Sequence, residues 1–377
     1  MANVVGLDYL PIELIYRILD CLDVQTIFHS LHGVCRRINY TLGTYNRYKF
    51  NFQSISKHKF HLIGRLILHE QVISMTLSDG NDTSNQIDLF LSSFDIKKFT
   101  ISLKSLKYLS IDCRSECNAK TLRLLQSSLV GHSLQKLSLF SSSLCAVLTQ
   151  NNTVNIKDLV LNSCMIRQIQ QILLSSTSLE TLILTDVEID VDDDLQNIDS
   201  SSKSPKLAYL SISTSHLTME MIVSFLNWLM KDSQQLRHLR LISDVDDETY
   251  FDGTRWESLL WTTSLTAFQF QFRAKLTTDT PIKQILLPFR NKFWLNEKRW
   301  FVACDKHRLV DQSFLYSIPG CHEHFIWRPL PSFESENTLP TNNYRIFNRV
   351  NHVHIQLNCA VYIFVFFNYH SIIDCYP

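Results

Sequence analysis

Apolar residues recur along most of this 377-residue chain in one short pattern: an apolar residue, two others, an apolar residue, one other, and an apolar residue. It occurs as Val72-Met75-Leu77, Leu106-Leu109-Ile111, Leu134-Leu137-Leu139, Ile156-Leu159-Leu161, Leu179-Leu182-Leu184, Leu207-Leu210-Ile212, Leu236-Leu239-Leu241 and Leu265-Phe268-Phe270, with a weaker copy at Val350-Val353-Ile355. Side chains two apart on a strand share a face, so each copy predicts a short strand whose last two apolar positions point inward. Between copies the apolar spacing changes to three and four residues, as in Leu122-Leu125-Leu129, Ile169-Ile172-Leu173 and Met221-Ile222-Phe225-Leu226-Leu229, which predicts helices.

The first eight copies start 34, 28, 22, 23, 28, 29 and 29 residues apart. All but the first step fall within the roughly 20–29 residues of a leucine-rich repeat; the first requires an insertion, placed at Ser78 to Gln86. One strand and one helix per repeat, stacked on neighbouring repeats, bury a continuous core. The expected fold is therefore α/β: a small N-terminal helical module, then a solenoid with parallel strands on its concave face and helices on its convex face. An ordinary α/β domain with parallel strands is the competing reading, disfavoured by the uniformity of the strand motif and the lack of a glycine-rich nucleotide loop. Asn162 and Cys164 lie just past a strand, where repeat families often place Asn or Cys to bond the turning backbone; only some repeats here keep a polar residue there, so the array is irregular. Tyr108, Lys136, Lys157, Glu180, Tyr209, Arg237 and Arg240 are read as concave-face residues, and Tyr and Arg are the types over-represented among binding hot spots.

Ahead of the repeats, residues 10–22 read LPIELIYRILDCL. Leu10, Leu14, Ile15, Ile18, Leu19 and Leu22 follow helical spacing, Pro11 suits a first turn, and Glu13 lies at the positive end of the helix dipole. Asp23 is placed to cap a second helix carrying Ile27, Phe28, Leu31, Val34 and Ile38. Two such short helices bury too little surface to stand alone. Either they dock on the rest of the chain or they present apolar surface to a partner.

These residues resemble an F-box. Leu10-Pro11-Ile12-Glu13-Leu14-Ile15 opens the segment, Ile18-Leu19, Leu22, Ile27 and Leu31 follow, and Val34-Cys35-Arg36-Arg37 closes it at the right separation. Two positions depart from the family pattern: Ile38 stands where a Trp or Phe is usual, and Gln25-Thr26 replaces the serine or acidic residue that often opens the second helix. The resemblance implies binding to the Skp-family adaptor of a cullin-RING ubiquitin ligase and, through the adaptor, to the cullin scaffold. It implies Leu10, Pro11, Glu13, Leu14, Ile18, Leu19, Leu22, Leu31 and Val34 as the adaptor-binding set, and a repeat array that selects a protein substrate. The domain boundaries expected are 5–50 for the F-box, 65–280 for the repeats, and 281–377 for an aromatic-rich cap or insertion and a partial last repeat. The competing class is a repeat scaffold without a ligase role, the helices capping its end.

Charge and composition narrow the partners. Lys+Arg and Asp+Glu are both 36, so the basic surplus that phosphate backbones demand is lacking and no nucleic-acid partner is expected. No apolar run reaches the ~18–20 residues of a membrane helix, and the N-terminus lacks the layout of a secretory signal. The ten cysteines are accordingly expected as reduced thiols in the cytoplasm or nucleus. No catalytic motif is present, so neither enzyme activity nor a cofactor is expected. Nor is a metal: the acidic runs 192–194 and 244–248 lack calcium-loop spacing, and Cys304, Cys321, His322 and His324 fit no standard zinc finger.

Overall fold

The computed structural model of the chain describes residues 7–53, 55–56, 69–78, 87, 105–113, 134–149, 155–188, 206–231, 235–276, 280–307, 312–318, 324–327, 333–340, 352–356 and 362–366. The expected helix at Leu122-Leu125-Leu129, the insertion after Ser78, the acidic run 192–194, and Cys321 and His322 lie outside them. The described residues form a mixed α/β structure in which parallel strand pairing dominates, in two compact units, Met1–Leu182 and Ile183–Pro377.

The first unit begins with three helices, α1 (Ile12–Asp20), α2 (Val24–Ser30) and α3 (Arg36–Thr44). Strands β1 (Tyr48–Asn51), β2 (Val72–Ser78), β3 (Tyr108–Asp112), β4 (Lys136–Phe140) and β5 (Asp158–Asn162) then pair in sequence order, all parallel. Helix α4 (Ser142–Thr149) follows β4 and α5 (Ile166–Ser175) follows β5; the unit boundary falls inside β6 (Thr181–Thr185).

The repeated motif sets the register. Met75, Leu109, Leu137 and Leu159 align across the first unit, as do Leu77, Ile111, Leu139 and Leu161. In the second unit Leu210, Leu239 and Phe268 align, as do Ile212, Leu241 and Phe270. Every residue of the eight full copies is buried, at about 1.5–3 kcal/mol for each large side chain removed from water. The residue just ahead of each strand repeats one backbone bond. The Lys107 N–H donates to the Ile73 carbonyl at 2.9 Å, Gln135 to Lys107 at 2.8 Å, Lys157 to Gln135 at 2.8 Å and Glu180 to Lys157 at 2.8 Å. In the second unit Arg237 donates to Ala208 and Thr266 to Arg237, both at 2.9 Å. A one-residue slip would break this ladder and turn the buried column to solvent. Cys164 is fully buried after β5, and Ser163 beside it takes a left-handed φ of 54°.

The second unit continues with β7 (Tyr209–Thr214), α6 (Met219–Met230), β8 (His238–Ser243), α7 (Gly253–Leu260), β9 (Ala267–Lys275) and α8 (Ile282–Leu286). The expected apolar stripes are buried: Ile169, Ile172 and Leu173 on α5, and Ile222, Phe225, Leu226 and Leu229 on α6. Beyond β9 the pairing reverses. Strands β10 (Phe301–His307) and β11 (Gln312–Ile318) form an antiparallel hairpin with β11 against β9, and β13 (Phe333–Asn337) pairs antiparallel with β10. Trp256, Phe270, Phe289, Phe293, Trp294 and Trp300 pack together behind these strands.

The weaker motif copy does not continue the series. Val353 and Ile355 lie in β14 (His352–Gln356), which pairs with β12 (His324–Trp327) and β15 (Tyr362–Phe366) in a separate three-stranded sheet. There β14 runs parallel to β12 and antiparallel to β15.

Candidate functional site

The N-terminal module is built by its capping residues. Pro11 precedes α1 and Glu13 sits in its first turn, both exposed. The Asp23 carboxylate caps α2, accepting the Thr26 N–H at 2.8 Å and the Thr26 hydroxyl at 2.6 Å, and these bonds hold its carboxyl below the usual range. The expected second helix running to Ile38 is instead two helices. Gly33 takes φ 86°, which favours glycine, and its N–H donates to Asn39 Oδ1 at 2.8 Å. Cys35 then caps α3, its Sγ accepting the Ile38 N–H at 3.4 Å. Leu31 and Val34 therefore belong to a connection and not to a helix face.

The two ends of the segment meet: Arg37 donates through Nη2 to the Leu10 carbonyl at 2.7 Å. On the inner side, Ile15, Leu19, Val24, Ile27, Ile38 and Leu42 are buried. A run of rings, Tyr45–Tyr48 with centroids 4.8 Å apart, Tyr48–Phe50 at 6.3 Å and Phe50–Phe52 at 5.0 Å, ties the helices to β1. The Tyr45 hydroxyl donates to Asp20 at 2.7 Å and that of Tyr48 to the Leu42 carbonyl at 2.8 Å; burial pushes both phenols well above their ordinary pKa.

The outer side is apolar and open. Among the described residues eight large hydrophobic side chains are exposed, and five fall within residues 7–40: Leu7, Tyr9, Leu14, Val34 and Tyr40, at 42%, 73%, 43%, 64% and 69%. Isolated apolar residues on a surface need no explanation; a concentration within one short segment is what sets this one apart. Of the expected adaptor-binding set, Pro11, Glu13, Leu14 and Val34 are exposed and Leu10, Ile18, Leu22 and Leu31 are half-buried. Leu19 is the correction: at 1% exposure it belongs to the module's own core, because it lies four residues from buried Ile15 on the same helix face. Leu7, Tyr9 and Tyr40 escaped the motif, since two precede it and one follows it.

The strand-face residues separate into two columns. Tyr108, Lys136, Tyr209 and Arg240 occupy strand positions that alternate with the buried motif pair, and so face away from it. Lys157, Glu180 and Arg237 lie one residue before their strands, at the level of the backbone ladder. Consecutive strand residues point to opposite sides, so Lys157 cannot share a face with Asp158. Lys157 and Glu180 pair at 3.3 Å, and Arg237 donates to the Ser264 carbonyl at 3.1 Å. The next positions along the strand face, Ser110 and Ser138 in the first unit and Ser211 and Gln269 in the second, were not anticipated.

The acidic run 244–248 serves its neighbours. Asp244 pairs with Arg273 at 2.7 Å, Asp246 pairs with Lys275 at 3.1 Å, and Asp247 accepts the Met219 N–H at 2.9 Å. Burial pushes the Cys304 thiol up to about 12. Among the described residues no group of three or more His, Cys, Asp or Glu side chains is arranged to hold a metal ion, and no helix is long and apolar enough to cross a membrane. Compared with protein-family models the chain matches none, and compared with curated proteins it likewise matches none.

Proposed function

We propose that this chain is a substrate receptor of an SCF-type ubiquitin ligase, an F-box module joined to an irregular leucine-rich-repeat array. The module binds a Skp-family adaptor and, through it, a cullin; the repeats hold a protein substrate. The chain performs no chemistry. It raises the effective concentration of substrate lysines near a ubiquitin-loaded enzyme, as tethering does.

The observation that carries this reading is the exposed apolar face around Leu14 and Val34, at the two ends of the F-box-like segment. Burying such a face recovers ~25 cal/mol per Å² of apolar surface. The test is a pulldown of the purified chain with a Skp-family adaptor, wild type beside a Leu14→Asp, Val34→Asp double variant. Capture by the wild type and loss in the variant is the expected result; no capture by the wild type overturns it.

A second reading draws on the ring contacts that fix the module to β1. In it the helices only close the end of a protein-binding scaffold, and the same pulldown decides against it when the wild type captures adaptor.

A further inference from the structure

Arg240 sits in the middle of β8, between Ser211 of β7 and Gln269 of β9, on the face turned away from buried Leu239 and Leu241. Its side chain is half-buried and its Nε is cut off from solvent with no hydrogen-bond partner. A buried donor without an acceptor costs about 1–3 kcal/mol, and such a group in a native fold calls for an explanation.

The surroundings supply one. Its neighbour on β7, Ser211, is a short side chain that is itself buried and offers the guanidinium no charge. The exposed His238 ring lies one strand position away, 6.3 Å from the half-buried Tyr209 ring. No acidic side chain occupies the outward positions of β7, β8 or β9, which are Tyr209, Ser211, Ser213, His238, Arg240, Ile242, Ala267, Gln269, Gln271, Arg273 and Lys275. Arg273 and Lys275, farther along β9, are already neutralised by Asp244 and Asp246. Among the described residues Arg240 is thus a cation without a counter-ion, carrying a rigid planar fork suited to a carboxylate or phosphoryl oxygen.

We propose that the outward face of β7–β9 binds an anionic group carried on an extended peptide, with Arg240 as the anchor and Tyr209, His238 and Gln269 around it. This rests on the reading of the repeats as the substrate-holding part of the receptor. A phosphorylated side chain and an acidic one share the chemistry, and the binding arms below separate them.

The full chain is titrated by fluorescence anisotropy with three labelled peptide pools, degenerate around a fixed central phosphoserine, glutamate or serine. The expected result is binding of the phosphoserine pool, alone or together with the glutamate pool, at least about tenfold tighter than the serine pool, and a loss of at least about tenfold in Arg240→Gln. Binding of the phosphoserine pool alone assigns a phosphoryl group; binding of both assigns any anionic side chain. Arg240→Lys keeps the charge but lacks the planar fork and is expected to fall between. Equal binding of all three pools, no binding of any, or unchanged binding in Arg240→Gln with a retained melting transition overturns the proposal. The adaptor pulldown on Arg240→Gln keeps the two readings apart, since that variant retains adaptor whatever the peptides do.

Discussion

Arg37 reaches back across 27 residues to donate a hydrogen bond to the carbonyl of Leu10, 2.7 Å away. The bond joins the beginning of the F-box-like segment to its basic end, holding Pro11 and α3 in one body. Arg37 is exposed, so its removal creates no cavity. Arg37→Ala is expected to cost about 0.5–1.5 kcal/mol, read as a lower urea midpoint with an unchanged slope. It is also expected to weaken adaptor capture, because the two ends of the face lose their fixed separation.

Helix α1 offers an internal contrast. Leu19→Ala removes a side chain that is 1% exposed and is expected to cost about 2–5 kcal/mol. Leu14→Ala truncates one that is 43% exposed and is expected to change stability by under about 0.5 kcal/mol. Denaturant unfolding of the two variants, with adaptor capture measured beside it, separates core from interface. Leu14→Ala should weaken capture while leaving the midpoint in place.

Gly253 begins α7 against the aromatic cluster. A Cβ there would lie 2.9 Å from Pro288 Cβ and 3.0 Å from the Phe289 ring, and the buried ring has no room to retreat. Gly253→Ala is expected to destabilise by about 1–3 kcal/mol through overpacking. Gly33→Ala meets nothing within 4 Å but inherits φ 86°, so its cost of about 1 kcal/mol is conformational. A calorimetric scan of each variant checks both, and adaptor capture should suffer only in Gly33→Ala, which displaces Val34.

Asp305 on β10 accepts a hydrogen bond from the Tyr316 hydroxyl at 3.1 Å, and burial raises its carboxyl above the ordinary value. A raised carboxyl binds its proton more tightly in the folded state than in the unfolded one. The stability it contributes is present below the unfolded value of about 3.9 and is lost as pH rises through the folded one. Asp305→Asn removes that dependence. The variant's stability relative to wild type should rise from acidic to neutral pH, measured as urea midpoints across that interval; a constant difference would refute the assignment.

Much of this architecture was legible in the apolar columns, because Leu109, Leu137 and Leu159 both create the sequence period and occupy one register line. The two-faced first helix was legible for the same reason. What escaped has physical causes. The break between α2 and α3 depends on one positive φ at Gly33, which apolar spacing does not report. Lys157, Glu180 and Arg237 were assigned to the strand face because the strand start was one residue uncertain, and a shift of one inverts the side a residue faces. The antiparallel hairpin at 301–318 was hidden among aromatics whose burial looks alike in a helix, a strand or a cap. Arg240 was legible as a residue type, but its lack of a counter-ion depends on what its neighbouring strands do not carry.

The reversal beyond β9 has a consequence for self-association. A row of parallel strands presents open backbone groups at its end, where a second copy could add itself and go on adding. Here the row in the second unit finishes in β13, antiparallel to β10 and carrying Glu334 and Glu336, the latter held by Arg290 at 3.3 Å and Lys283 at 3.7 Å. An incoming strand would meet these charged side chains, one of the ways a sheet edge is blunted. Charge on β13 thus disfavours the addition of a further strand at this end of the row.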